Sequence, residues 1–233
     1  TKFKPGDRVV VEPIYACGEC ETCRQGLYNL CPKMGFLGLA GGGGGFSEYV
    51  VFDDYRVHKI PDSVSYEQGA LVEPAAVALY AVRQSRLKAG DKAAVFGTGP
   101  IGLLVIEALK AAGAAEIYAV ELSPERKQKA AELGAIVIDP KEYDVVEELR
   151  KRTGGGVDVA YETTGVGPVL TQSLNAVKPN GELMVLSIWE KEATIHPNHI
   201  VLQERKINAI IGYRDVFPAV ISLMAQGYFP ADK

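Results

Sequence analysis

Four cysteines fall within 15 residues, Cys17, Cys20, Cys23 and Cys31, spaced C-x2-C-x2-C-x7-C, and the chain has no others. A C-x2-C link sets two sulfurs on neighbouring vertices of a tetrahedron, and zinc takes four thiolates in that geometry. Two other chemistries compete. Disulfides are constrained by the three-residue offsets and are rare in a reducing compartment. An iron–sulfur cluster also opens on C-x2-C-x2-C, and Pro32 follows Cys31 as it would there, but the last gap is seven residues instead of three. Four protein thiolates leave no open position, so a zinc held here is structural.

The second constellation is Gly97-Thr98-Gly99-Pro100-Ile101-Gly102, which follows the apolar run Ala93–Phe96 and opens a helical pattern. In G-x-G-x-x-G the first glycine allows the tight turn, the second lets backbone approach a pyrophosphate, and the third lets helix pack on strand. The free N–H groups and dipole of the first helical turn then favour phosphate. Glu121 ends the next strand, 19 residues after Gly102. A carboxylate there accepts from ribose hydroxyls and repels a 2′-phosphate, which favours NAD over NADP. Arg126 works the other way, because a guanidinium could accept that phosphate. It also suits a solvated helix face.

A third candidate is Glu73, set in the apolar stretch Ala70-Leu71-Val72-Glu73-Pro74-Ala75-Ala76-Val77. An unpaired carboxylate there is costly, and a metal or a cation would offset the cost. Alternatively, Glu73 is a helix cap, with Pro74 at the first helical position. The residues alone leave both open.

The elements that must position these groups follow from periodicity. Residues 1–65 read as short strands and turns, with strands at Arg8–Val11 and Phe46–Phe52 and a flexible loop at the five glycines Gly41–Gly45. Helical spacing covers Tyr66–Ser85. Strands follow at Ala93–Phe96, Ile117–Glu121, Ile136–Ile138, Val157–Glu162, Glu182–Leu186 and Ile207–Gly212. Helices lie between them at Pro100–Ala112, Pro124–Leu133, Tyr143–Thr153 and Pro168–Val177, with a last one at Phe217–Gln226. Strands alternating with helices of this length predict an α/β fold, a doubly wound parallel sheet with right-handed crossovers.

With 233 residues, 47% hydrophobic, the chain can bury a core, and its net charge of −4 gives no basic footprint for nucleic acid. No apolar run is long enough for a membrane span, and Thr1–Pro5 lacks the apolar region of a signal peptide, so a cytoplasmic protein is expected. A strand that starts at Arg8 and an end just past the Gly227-Tyr228 turn suggest a fragment.

Together, the CxxCxxC…C lobe, the GALVEP segment and VFGTGPIGLL followed by IYAVELSPERKQKAAELGA resemble the zinc-dependent medium-chain dehydrogenases, in the branch holding sorbitol and threonine dehydrogenases. The resemblance spans essentially the whole chain. It implies an NAD-binding Rossmann domain over 74–216. A partial GroES-like catalytic domain over 1–73 would carry the structural zinc lobe at 15–32, and 217–233 would begin the return to it. It also implies hydride transfer between NAD and a secondary alcohol or a vicinal diol such as 2,3-butanediol, with zinc as Lewis acid in a cleft between the domains.

By the same resemblance Glu73 is a catalytic-zinc ligand, Thr164 touches the cofactor, and Ser187, Ile188 and Gly212-Tyr213-Arg214 lie near the nicotinamide. His58, His196 and His199 match no zinc histidine of the family and read as surface or supporting residues. The family's first zinc cysteine and its Gly-His-Glu segment would fall ahead of Thr1, so this stretch alone is expected to bind NAD without turnover. The apolar strand Ile207–Ile211 is a candidate edge through which relatives pair, which implies a homo-oligomer. An NADP-dependent zinc reductase of the same fold and an iron–sulfur electron carrier with a nucleotide domain are the rival readings.

Overall fold

The structure, a computed structural model, describes residues 2–39 and 43–231; part of the glycine run lies outside these. The chain divides into two compact units. The first runs to Ala76 and takes in Ile211–Ala231, and the second is Val77–Ile210.

The first unit is built from short pieces. Strand β1 (Val9–Val11), strand β2 (Ile14–Tyr15), helix α1 (Glu21–Arg24), strand β3 (Gly35–Phe36) and strand β4 (Val57–Lys59) follow in order, with 3-10 turns at Tyr28–Leu30 and Asp54–Arg56. β1 pairs antiparallel with β4 (Val9 opposite Lys59), and β2 with β3 (Ile14 opposite Phe36). The strand expected at Phe46–Phe52 is absent. Phe46, Tyr49 and Val51 stand exposed, and no described segment pairs with them, so the alternating pattern lacks the ladder that makes a strand.

Helix α2 (Tyr66–Gln84) starts at a reciprocal capping box. Ser65 Oγ accepts from the Gln68 N–H at 3.1 Å, and Gln68 Oε1 accepts from the Ser65 N–H at 3.0 Å. Glu73 and Pro74 therefore lie inside the helix. This corrects the capping alternative for Glu73, since the orphan N–H groups that a cap would satisfy are two turns earlier.

The second unit is a six-stranded sheet flanked by helices. Strand β5 (Lys92–Phe96), helix α3 (Pro100–Ala111), strand β6 (Glu116–Val120), helix α4 (Pro124–Glu132) and strand β7 (Ile136–Ile138) make one half. Helix α5 (Val145–Thr153), strand β8 (Val157–Glu162), helix α6 (Gly167–Ala176), strand β9 (Val177–Val185), the short helix α7 (Asn198–Val201) and strand β10 (Lys206–Ala209) make the other. All pairs are parallel, in the order β10-β9-β8-β5-β6-β7. Chain order thus reverses between β5 and β8, the switch point where doubly wound sheets bind ligands.

β9 begins five residues before the Glu182 expected from the pattern, because Val177 pairs with Val157 ahead of a register shift. β10 ends at Ala209 rather than Gly212, which has φ +56°. Ala93, Ala94, Val95 and Phe96 are fully buried, as a strand covered on both faces requires. Helix α8 (Phe217–Ala225) returns the chain to the first unit, where Phe217, Val220 and Met224 are buried. Among the described residues no helix is long and apolar enough to cross a membrane.

Candidate functional site

In the first unit the four cysteine sulfurs converge, all within 4.8 Å of one another. Cys17 Sγ lies 3.6 Å from Cys31 Sγ and 3.9 Å from Cys23 Sγ, and Cys20 Sγ lies 3.9 Å from Cys31 Sγ. A ZnS4 tetrahedron with bonds of about 2.3 Å has edges of roughly 3.8 Å. The donor set therefore fits one zinc. It is too wide for a disulfide and too tight to enclose a multi-iron cluster of the kind the ferredoxin-like spacing raised.

Backbone amides point at the sulfurs: Cys17 N–H and Lys33 N–H donate to Cys31 Sγ at 3.4 and 3.3 Å, and Cys20 N–H donates to Cys17 Sγ at 3.4 Å. Charge is thereby favoured on these sulfurs. The Thr22 hydroxyl and the Cys23 N–H bring the Cys20 thiol down to about 6. The Cys17 and Lys33 amides lower Cys31 against burial. Cys23 is pushed up to about 12 by burial and by the neighbouring Cys20 sulfur.

Glu73 is half-buried in α2, beside Val9, Val10, Val11, Tyr66 and Phe217 around a cavity of about 270 Å³. Burial raises its carboxyl above the usual range, and the Tyr213 hydroxyl opposes that rise. Tyr213 is fully buried, and its hydroxyl faces this carboxylate without a hydrogen bond of regular geometry. Sequence reasoning missed the network beside it. Buried Glu12 accepts from Arg56 Nη1 at 2.6 Å and from the Tyr28 hydroxyl at 2.7 Å, with His58 Nε2 at 3.3 Å. Burial alone would raise Glu12; these donors hold it below its ordinary value. The only signal was an acid directly after the β-branched run of β1.

In the second unit, register decides the site. Phe96 is level with Val120 and with Glu162, and Glu162 is level with Val185. The residues just past these strand ends, Gly97, Glu121, Thr163-Thr164 and Ser187, are therefore grouped at one edge of the sheet. A crevice of about 310 Å³ there is lined by Gly97, Gly99, Glu121, Arg126 and Thr164 of the predicted set, together with Val120, Leu122, Pro140, Thr163, Val169 and Gln172. Pro140 follows β7 and could have been found from the strand-end rule alone.

Gly97 has φ +86°, and a Cβ on it would stand 2.6 Å from Thr164 Cγ2. A Cβ on Gly102 would stand 2.0 Å from the Gly97 carbonyl oxygen, whereas one on Gly99 would meet nothing nearer than Arg126 Nη1 at 3.9 Å. The first and third glycines thus serve the turn, and the second faces open space. Gly99 caps α3, with Pro100 at its first position and Ile101 in its first turn.

Glu121 is nearly buried, and its oxygens accept four bonds. These come from Thr98 N–H (2.8 Å), Thr98 Oγ1 (3.1 Å), Leu122 N–H (2.7 Å) and Ser123 N–H (2.9 Å). Burial would raise its carboxyl, but these donors hold it below the ordinary range. Thr98 is fully buried against Glu121 and does not line the crevice. Ser187 and Ile188 lie apart from the crevice lining. The Ser187 hydroxyl donates to the fully buried Glu162, which also accepts from Thr164 N–H at 2.7 Å, and Ile188 is exposed. Sequence reasoning did not single out Glu162, because an acid at a strand end looks solvated.

The profile of the zinc-binding dehydrogenase family matches residues 100–226, and that of the alcohol dehydrogenase GroES-like domain matches residues 1–62. The chain is 68% identical to (R,R)-butanediol dehydrogenase of Bacillus subtilis (strain 168) over 232 residues, 99% of this chain and 66% of that protein. The crystal structure of 2R,3R-butanediol dehydrogenase from Bacillus subtilis superposes with a TM-score of 0.95 at 67% identity, covering 100% of this chain and 66% of that one. A putative zinc-binding dehydrogenase from Sinorhizobium meliloti 1021, bound to NADP, superposes with a TM-score of 0.92 at 32% identity, over 97% of this chain and 68% of that one. The chain thus spans about two thirds of the length of the relatives it matches.

Proposed function

Because the chain belongs to the zinc-binding dehydrogenase family, we propose that it is the cofactor-binding and structural-zinc portion of an NAD-dependent dehydrogenase acting on a vicinal diol such as 2,3-butanediol. The observation that carries this reading is the 68% identity to (R,R)-butanediol dehydrogenase, sustained over 99% of the chain. The chemistry supplied by the bound groups is Lewis-acid activation of the alcohol by zinc and acceptance of hydride by NAD.

This chain's own residues bind and orient. The α3 N-terminus and Gly99 offer backbone to the pyrophosphate, and Glu121 sets the charge beside the adenosine ribose. Cys17, Cys20, Cys23 and Cys31 hold the structural zinc, and Glu73, in an apolar setting, contributes to the catalytic one. Thr164, Ser187 and Ile188 border the nicotinamide end in this reading. A cytoplasmic location fits a zinc lobe built on thiolates, which a reducing compartment keeps available to the metal. The edge strand β10 is where a second copy would pair.

Rates of the enzyme carrying this segment, compared across butanediol, sorbitol and threonine, test the substrate; no turnover of butanediol would overturn it. These 233 residues alone are expected to bind NADH and to oxidise no alcohol, since among the described residues the cysteine lobe is the one cluster of metal-binding side chains. NAD is favoured over NADP because the Glu121 carboxylate, held below the ordinary range by its backbone donors, would repel a 2′-phosphate. Replacing it (Glu121→Gln) is expected to cut the NADH-over-NADPH affinity ratio at least tenfold, about 1.4 kcal/mol, read by cofactor fluorescence. An unchanged ratio would favour the NADP reading, to which the NADP-bound relative and Arg126 at the crevice both point.

A further inference from the structure

Asn29 lies in the 3-10 turn between Cys23 and Cys31 and is 3% exposed. Its amide makes two bonds to one distant segment. Nδ2 donates to the Ile211 carbonyl at 2.9 Å, and Oδ1 accepts from Arg214 Nη1 at 3.0 Å. The two bonds bracket Gly212 and Tyr213. Beside them the Tyr28 hydroxyl accepts the Asp215 N–H at 2.7 Å.

The clasped segment is not relaxed. Gly212 turns at φ +56°, which glycine adopts freely, but Asp215, a residue with a Cβ, has φ +55°. Such backbone persists only where its surroundings over-determine it. Within the clasp Tyr213 is fully buried, and its hydroxyl, lacking a regular hydrogen bond, faces Glu73. With Glu73 as the group it faces and no regular hydrogen bond to fix it, the placement of this hydroxyl depends on the backbone that carries it.

We propose that Asn29 is a positioning residue, through which the cysteine lobe clasps residues 211–215 and holds the Tyr213 hydroxyl toward Glu73. Its importance for catalysis rests on the reading of Glu73 as a zinc ligand; the clasp itself does not. Because the turn bearing Asn29 ends on Cys31 and starts five residues after Cys23, metal occupancy of the lobe is transmitted to Tyr213. The lobe is then more than a staple.

The test uses the 233-residue chain, zinc-loaded and labelled with 3-fluorotyrosine, with the Tyr213 fluorine resonance assigned through Tyr213→Phe. Asn29→Ala is expected to shift or broaden that resonance, while a cobalt-loaded sample keeps the thiolate charge-transfer spectrum of the lobe. Chelating the lobe metal should move the same resonance in the parent chain and move it no further in Asn29→Ala. An unmoved Tyr213 resonance with an intact cobalt spectrum would overturn the proposal, as would an equal effect of chelation in both chains. If Asn29→Ala takes up no cobalt, Tyr28→Phe, which removes one hydroxyl, replaces it, and the same two outcomes decide. A wrong assignment of Glu73 leaves these resonances untouched; it would show instead as zinc in the full enzyme that survives Glu73→Ala.

Discussion

Replacing Cys31 by serine is expected to abolish the bound zinc of this chain and to lower the melting temperature of the first unit by more than about 10 °C. Structural zinc contributes of the order of 10–16 kcal/mol of binding free energy in small metal-folded domains. At a shift of about 2–4 °C per kcal/mol for a chain of this size, even a fraction of that is large. The first unit has few alternatives. Its strands are two or three residues long, and α1 has four residues, none of them buried. Cys31 is the right target because it is the buried member of the quartet and its sulfur accepts backbone N–H bonds from both Cys17 and Lys33. Metal analysis together with thermal melting, with and without chelator, makes the measurement. A serine variant that retains one zinc per chain and melts with the parent would refute the structural assignment.

The second large effect is at Gly102. An added methyl would stand 2.0 Å from the Gly97 carbonyl and 3.2 Å from Thr163 Oγ1. Neither neighbour yields easily, since the first is backbone and Thr163 Oγ1 is itself tied to the Phe96 and Gly97 carbonyls at 3.0 and 2.9 Å. Gly102→Ala is therefore expected to force α3 away from β5, with a loss of about 1–3 kcal/mol in stability. NADH affinity should fall by more than about 100-fold, near 2.7 kcal/mol. Gly99→Ala is the informative companion, because its methyl meets only Arg126 Nη1 at 3.9 Å. It should melt like the parent and still bind NADH poorly, the methyl occupying space the pyrophosphate needs. Equal NADH affinity in all three chains, by fluorescence titration, would disprove the role given to this turn.

The second unit was the more legible in the sequence. Strands there are continuous apolar runs between glycine and proline punctuation, and their ends mark the crevice without knowledge of side-chain packing. Gly97, Gly99, Glu121 and Arg126 meet because parallel register levels the strand ends, a consequence of topology. The inward turn of Thr98 was not legible, because it depends on where the Glu121 oxygens find donors. In the first unit, cysteine spacing was readable because metal geometry acts over a few residues. Asn29 and Tyr28 were not, because their bonds to Ile211, Arg214 and Asp215 span more than 180 residues of sequence. The helix-cap alternative at Glu73 followed a local proline rule, and it gave way to the stronger capping box at Ser65.

The engagement of Glu121 with the glycine turn bears on how cofactor preference can be altered. Leu122, Arg126 and Pro140 border the crevice without holding the turn through their side chains, so exchanging them re-tunes recognition and leaves the sheet alone. Glu121 belongs to both systems: in the proposed reading its charge turns away a phosphorylated ribose, and its oxygens fix Thr98 in place. A switch to the phosphorylated cofactor that removes this carboxylate must supply another acceptor for the Thr98 amide; otherwise selectivity is gained at the expense of the turn that both cofactors need.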